Sequence, residues 1–116
     1  AMKANHHLSW KSMSSRMMSI LQPKLIVSEN FWSHQPWPDE FASIVDAYPG
    51  DKKFMFTSIS ADVVAANPKM MANVTGYNGH VVVRVAPGGD EYSLYLLDAT
   101  DYKYRVKAIY GPFKCD

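Results

Sequence analysis

The amino-acid sequence predicts an α+β fold in which N-terminal helices pack on an antiparallel sheet of about four strands. Helical spacing of apolar residues occurs mostly in the first half of the chain, whereas runs of β-branched and aromatic residues dominate the second half. The chain has 116 residues and one cysteine, Cys115, so a packed core rather than an internal disulfide must stabilise it. We therefore expect one domain over residues 9–116.

The first helix is predicted over residues 9–22. Ser9 is a favourable N-cap residue, and Pro23 follows directly after the last helical turn. The apolar residues that recur at helical spacing are Trp10, Met13, Met17, Ile20 and Leu21. Together they predict one buried face for this helix.

The middle of the chain is predicted to contain shorter elements. In chain order these are a strand at 24–27, a helix at 39–47, a strand at 53–59 and a helix at 61–74 that is broken near Pro68. A loop rich in aromatic residues and proline, residues 28–38, separates the first two. The sequence shows no internal repeat.

The last part of the chain predicts three strands in a meander. Residues 80–86 and 92–98 are rich in β-branched and aromatic side chains, and the turn residues 87–91 lie between them, which is typical of a β-hairpin. Residues 102–110 alternate between tyrosine or apolar side chains and basic ones. That alternation predicts a third strand with its basic face in water.

The register of the hairpin decides which side chains are neighbours. If Ala86 pairs with Tyr92, His80 lies directly opposite Asp98, with their Cβ atoms about 4.5–5.5 Å apart. In a catalytic triad, a carboxylate beside the histidine orients the imidazole and stabilises its charged form. This register therefore makes His80 and Asp98 candidate catalytic residues.

Charge and hydropathy exclude several classes of function. The net charge is +1, which gives no electrostatic basis for binding nucleic acid or an anionic membrane. No apolar run approaches the roughly 18 residues of a transmembrane helix, so we expect a soluble protein, and a lone cysteine fits a reducing compartment. No phosphate-binding, dinucleotide-binding or metal-binding motif is present, and we expect no cofactor and no metal.

The start of the chain is expected to carry little structure. Ala1 before Met2 is typical of a cloning remnant, and the polar residues that follow predict a flexible N-terminus over residues 1–8.

Two segments of the hairpin resemble a known enzyme fold. Gly79-His80 at the start of one strand and Leu97-Asp98-Ala99-Thr100 at the end of the next resemble the His and Asp segments of papain-like and transglutaminase-like cysteine enzymes. Those folds place the nucleophilic cysteine at the N-terminus of an earlier helix, often before a tryptophan. Ser9-Trp10 occupies that place in this sequence.

The resemblance implies a site and a reaction. Ser9, His80 and Asp98 would be the catalytic residues of acyl transfer at a carboxamide, which covers proteolysis, deamidation and transglutamination. A protein or peptide substrate would contact Trp10, Trp32, Trp37 and Gly79. Serine in place of cysteine implies either an engineered Cys→Ser change in an effector or toxin domain, or a non-catalytic relative.

Two other functions are compatible with the sequence. The aromatic loop at 31–37 and the tyrosines of the last strand are suited to a binding or inhibitory module without chemistry. A small ribonuclease-like toxin is the other alternative, with His80, Arg84, Thr100, Tyr102, Lys103 and Arg105 on its sheet. If Ser9 and Asp98 have no catalytic role, Ser9 is only a helix cap and Asp98 only begins a turn.

Overall fold

The computed structural model describes residues 1–115, and these fall into two units. The first unit is Ala1–Tyr77, and the second begins at Asn78. The prediction of one domain over residues 9–116 stays a prediction. The predicted α+β class is confirmed in a broad sense, because helices and a parallel sheet occupy the first unit and an antiparallel sheet occupies the second.

The first unit contains a four-stranded sheet in the order β1-β2-β3-β4, and every neighbouring pair is parallel. Its elements are β1 (Met2–Lys3), a 3₁₀ helix (Asn5–Leu8), α1 (Ser15–Leu21), β2 (Leu25–Ser28), α2 (Pro38–Val45), β3 (Lys53–Phe56), α3 (Ala61–Ala66), α4 (Pro68–Met71) and β4 (Gly76–Tyr77). The predicted antiparallel pairing is therefore wrong for this part of the chain. Each of the first three strands is followed by a helical connection, and connections of that length join parallel strands.

The parallel sheet winds in one direction, with consecutive strands as neighbours. Met2 pairs with Ile26, Ile26 with Phe54, and Met55 with Gly76, so equivalent positions lie 24, 28 and 21 residues apart. Solenoid proteins with short repeats wind in the same way, with one strand and one helical connection per turn of about 20–29 residues. The winding is regular although the sequence shows no repeat.

The core of the first unit lies between this sheet and the helices. Ile26, Phe54 and Phe56 point to the same face, where they pack with Phe41 and Ile44 of α2. The Phe41 ring meets the rings of Phe54 and Phe56 edge-on, at centroid distances of 4.7 and 5.4 Å. Buried residues of all the longer connections join the same cluster, so the helices cover one face of the sheet.

The first eight residues are part of this unit rather than a flexible terminus. The N–H of Ala4 donates to the carbonyl of Val27 at 2.8 Å, which continues the pairing of β1 with β2. Ala4 and Leu8 are both buried in the core. Apolar burial of two side chains in a segment of mixed composition is a tertiary effect, and local composition does not reveal it.

Helix α1 begins six residues later than predicted. Ser14 is its N-cap, and its hydroxyl accepts a hydrogen bond from the N–H of Met17 at 3.4 Å. Ser9 has an extended backbone and ends the 3₁₀ helix, and Lys11 has a φ of 54°, outside the right-handed helical region. Ser9 and Ser14 are both favourable capping residues, so the local sequence did not distinguish between them.

The second unit is an antiparallel meander, as predicted for the C-terminal part of the chain. Its strands are β5 (His80–Val85), β6 (Glu91–Leu97) and β7 (Val106–Lys114), in the order β5-β6-β7. The last strand runs four residues further along the chain than predicted. Tyr92, Leu94 and Leu96 form the buried face of β6. Among residues 1–115, no helix is long and apolar enough to cross a membrane.

Candidate functional site

The hairpin pairs in a register one residue away from the predicted one. Val85 rather than Ala86 pairs with Tyr92, and His80 therefore pairs with Leu97. The loop between the strands is shorter than predicted, because Glu91, expected in the turn, is paired with Ala86. The N–H of Ala86 donates to the carbonyl of Glu91 at 2.8 Å. A shift of one residue in a strand moves a side chain to the other face of the sheet. The predicted alignment of His80 with Asp98 is thus wrong.

Asp98 is engaged in a turn beyond the end of β6. Its Oδ1 accepts hydrogen bonds from the hydroxyl of Thr100 at 2.7 Å and from the N–H of Thr100 at 2.9 Å. The hydroxyl bond lowers the pKa of the Asp98 carboxyl most, and the N–H bond and the charges of Lys107 and Arg105 lower it further. This is the turn arrangement in which an aspartate bonds the backbone two residues on.

His80 and Gly79 have structural roles within the second unit. The ring of His80 packs edge-on against that of Tyr104, with the centroids 5.3 Å apart. A Cβ atom at position 79 would overlap the carbonyl oxygen of Leu97 and touch the side chain of Leu96. Glycine is therefore required at position 79 by the chain's own backbone, which approaches it closely.

Ser9 belongs to the first unit, and its hydroxyl is already bonded. The amide Nε2 of Gln35 donates to the Oγ of Ser9 at 2.9 Å. Because α1 begins only at Ser15, Ser9 does not have the helix N-terminus that would activate a nucleophile. Two structural premises of the triad are thus wrong: the alignment of His80 with Asp98 and a helix that begins at Ser9. The triad of Ser9, His80 and Asp98 itself joins residues of different units and stays a prediction.

The residues of the ribonuclease-like alternative are spread over two elements. His80 and Arg84 lie on β5, where Arg84 pairs with Ser93. The other four fall in the connection between β6 and β7 rather than on the last strand; they are Thr100, Tyr102, Lys103 and Arg105. The guanidinium of Arg105 forms an ion pair with Asp101 at 2.6 Å.

The most distinctive surface of the first unit is aromatic. We call it the aromatic surface and define it by Trp10, Phe31, Trp32, His34 and Trp37. The exposed fractions of Trp10, Phe31 and Trp32 are 65%, 86% and 61%, and Trp37 is 40% exposed. These include all three tryptophans of the chain. The ring of His34 contacts those of Trp32 and Trp37, at centroid distances of 5.5 and 6.1 Å.

Gln35 fixes the backbone that carries these rings. The residue is 3% exposed, and its Oε1 accepts from the N–H groups of Phe31 and Trp32 at 3.2 and 3.3 Å. Its Nε2 donates to Ser9, so one buried side chain bonds both connections of the aromatic surface. A buried amide with satisfied hydrogen bonds holds its partners in one geometry, because leaving any of them unpaired is costly.

Asn30 fixes the other end of the exposed segment. Its Nδ2 donates to the carbonyl of His7 at 2.9 Å, and its N–H donates to the hydroxyl of Thr57 at 2.8 Å. The hydroxyl of Thr57 in turn lies 3.2 Å from the carbonyl oxygen of Asn30. Residues of three successive turns of the winding are therefore linked beside the strand ends.

Glu40 holds the segment that carries Trp10. Its carboxylate accepts from the N–H groups of Lys11 at 3.1 Å and Met13 at 2.6 Å. The N–H of Trp37 donates to the carbonyl of Leu8 at 3.0 Å, which ties the two connections together again. The sequence did not single out Gln35, Asn30 or Glu40, because a polar residue in a loop shows its role only when its burial and partners are known.

No known protein family, curated protein or solved structure matches the chain significantly. The resemblance of the His80 and Asp98 segments to papain-like enzymes therefore stays a prediction.

Proposed function

We propose that this chain is a protein-binding module that recognises a protein or peptide through the aromatic surface. The observation that carries the proposal is the combination of exposed aromatic rings and a fixed backbone beneath them. Tryptophan is enriched among the few residues that supply most of the binding energy at protein interfaces. A backbone that is already ordered loses less entropy when a partner binds.

The exposure of these rings supports the same proposal. Burying apolar surface is favourable by about 25 cal/mol per Å², so a fold gains nothing by keeping large rings in water. Single exposed apolar residues are common, but the ring of His34 contacts those of both Trp32 and Trp37, and Phe31 adjoins Trp32 in sequence. Contiguous exposed apolar surface of this kind marks interaction sites.

The position of the surface in the first unit also supports binding. Trp10 lies in the connection after β1, and Phe31 to Trp37 lie in the connection after the neighbouring strand β2. Loops that a rigid sheet holds in place are where binding residues are most often found. The nearly neutral charge favours a protein or peptide partner over nucleic acid.

The proposal is tested with peptides selected from a random phage-displayed library on the immobilised protein. All three tryptophans belong to the aromatic surface, so a peptide bound there changes the tryptophan emission without any added label. Trp32→Ala and Trp37→Ala should each weaken such a peptide by about 30-fold or more, the effect of losing a hot-spot residue worth about 2 kcal/mol. Isothermal titration calorimetry measures the affinities.

Tyr102→Ala is the matched control, because Tyr102 is an aromatic residue of the second unit that is 93% exposed. It should leave both the affinity and the emission change unaltered. If selected peptides bind equally well to the wild type and to both tryptophan variants, the aromatic surface is not the binding site.

A further inference from the structure

The two edge strands of the second unit differ in how well they are protected against pairing. β7 has irregular pairing with β6 between Tyr92 and Leu94 and between Leu96 and Leu97, and it contains Pro112. β5 pairs with β6 without any shift over all six residues, His80 to Val85. Bulges and proline are the usual devices that keep an edge strand from adding another strand. Of the two edges, β5 has neither.

The hydrogen bonds of the hairpin show which backbone groups of β5 point away from β6. The N–H of Ala86 donates to Glu91, and bonded pairs alternate along an antiparallel ladder. Residues 80, 82 and 84 therefore bond to β6, and the N–H and C=O groups of Val81, Val83 and Val85 point outward. The N–H of Asp98 bonds to the carbonyl of Arg105 on the other side of β6, which agrees with this alternation.

The side chains of β5 leave this edge accessible. Val82, Val83 and Val85 are 42%, 39% and 55% exposed, and Arg84 carries the strand's one permanent charge. Valine favours the extended backbone that a ladder requires. A regular, exposed and apolar edge of this length is a site where another strand adds.

We infer that β5 pairs with β5 of a second copy of this chain, antiparallel, about a two-fold axis that passes beside Val83. In this register Val83 lies opposite Val83 of the second copy, and Val81 lies opposite Val85 of the second copy. All three outward N–H groups and all three outward C=O groups of each β5 are then bonded. The two sheets join into one of six strands.

Self-complementarity selects a second copy as the occupant of this edge. In the same register Arg84 lies opposite Val82 of the second copy, so the strand's charge faces an apolar residue and no like charge. Centring the axis on Val82 instead would leave the outward groups of Val85 unbonded. A two-fold interface brings the same surface of both copies together, so each β5 would pair with an identical strand.

The register is tested by cross-linking in a Cys115→Ser background. Val83→Cys should form a disulfide-linked dimer on treatment with copper-phenanthroline, because residues opposite each other in a bonded pair have Cα atoms about 5.5 Å apart. Val85→Cys is the matched control, since its two copies would be displaced by four residues, or about 13 Å along the strands. Equal cross-linking of the two variants would overturn the register.

The dimer itself is tested by sedimentation equilibrium from micromolar to millimolar concentrations. Val83→Lys should weaken dimerisation at least about tenfold, because two lysines would face each other across the axis. Val83→Pro should do the same without unfolding the hairpin, since its lost N–H points away from β6. Ile109→Lys on β7 is the control for added charge and should leave the dimer intact.

Three results would overturn the inference. A wild-type protein that is monomeric at every concentration excludes the second copy as the occupant of this edge. A dimer that Val83→Lys and Val83→Pro do not weaken, while circular dichroism shows both variants to be folded, assigns the interface elsewhere. The third is a dimer that only Ile109→Lys dissociates.

Discussion

In the first unit, polar side chains such as Gln35 and Asn30 are buried and bond the backbone of neighbouring loops. In the second unit, backbone ladders hold the strands together and the charged pairs lie on the surface, as between Lys114 and Glu91 at 2.6 Å. A buried hydrogen bond is costly to leave unmade, whereas an exposed ion pair is screened by water. The two units should therefore respond differently when one polar partner is removed.

The largest difference is expected between Gln35→Ala and Glu91→Ala. Gln35→Ala leaves two backbone N–H groups without their acceptor, so the free energy of unfolding should fall by about 1–3 kcal/mol. Glu91→Ala removes an exposed ion pair and should change it by less than about 1 kcal/mol. Urea denaturation measures both values, with tryptophan emission for the first unit and circular dichroism for the whole chain.

Gln35→Ala should also affect binding at the aromatic surface. Because Gln35 orders the backbone of Phe31 and Trp32, its loss should also weaken peptides that bind the aromatic surface. Equal loss of stability in Gln35→Ala and Glu91→Ala would contradict the difference drawn between the units. Unchanged peptide affinity in Gln35→Ala would show that the loop keeps its geometry without this side chain.

A smaller effect is expected at Asp98 in the second unit. Thr100→Ala removes the hydroxyl that lowers the pKa of the Asp98 carboxyl most, so this pKa should rise towards its ordinary value. The pKa of Asp98 is lower in the folded chain than in the unfolded chain. The bonds from Thr100 therefore stabilise the fold at a pH above the unfolded-state pKa of Asp98. This stabilisation is lost as the pH falls through its folded-state pKa. Carbon-13 NMR titration of the carboxyl follows the change.

Tyr102→Ala is the control for that titration, because it alters the same connection without removing a hydrogen bond to Asp98. A pKa of Asp98 that rises equally in both variants would assign the shift to the connection as a whole rather than to Thr100.

The smallest effect is expected on the rate of thiol labelling in Ser9→Cys, for which the triad predicts a large effect of His80. In Ser9→Cys, an added His80→Ala change should leave the rate of labelling by a thiol-reactive electrophile unaltered. The reasons are that Ser9 does not begin a helix and that His80 is out of register with Asp98. Mass spectrometry of the labelled peptides measures the rate, with Cys115 in the same sample as the internal standard. If His80→Ala slows the labelling of Ser9→Cys by about tenfold, the result would support the triad hypothesis instead.

The sequence predicted the elements with strong periodicity and missed those without it. Residues 80–86 are rich in valine, residues 92–98 are rich in tyrosine and leucine, and a turn with two glycines lies between them; the hairpin is present as predicted. The register of the hairpin depends on the exact length of its loop, and residue composition does not determine that length. The tryptophans were recognised as candidate contacts, but the buried Gln35 between them was not, because its burial arises only when the loop closes on Ser9.

The parallel sheet was missed for a different reason. The strands predicted at 24–27 and 53–59 are present as β2 and β3, but β1 and β4 have only two residues each, too few for any pattern to show. The turns of the winding also differ in length by several residues, so no repeat can be seen in the sequence. What makes the turns equivalent is pairing between strands, a long-range property that local residue preferences do not contain.

The two buried polar anchors have an evolutionary consequence. Asn30 and Gln35 bracket four exposed residues, Phe31 to His34. The two bond to backbone atoms and to the hydroxyls of Thr57 and Ser9 rather than to the side chains of those four. The four positions are therefore free to mutate under selection for a new partner while the frame that presents them stays intact. Recognition can diversify here at little expense to folding, which is how variable loops on conserved scaffolds acquire new specificities.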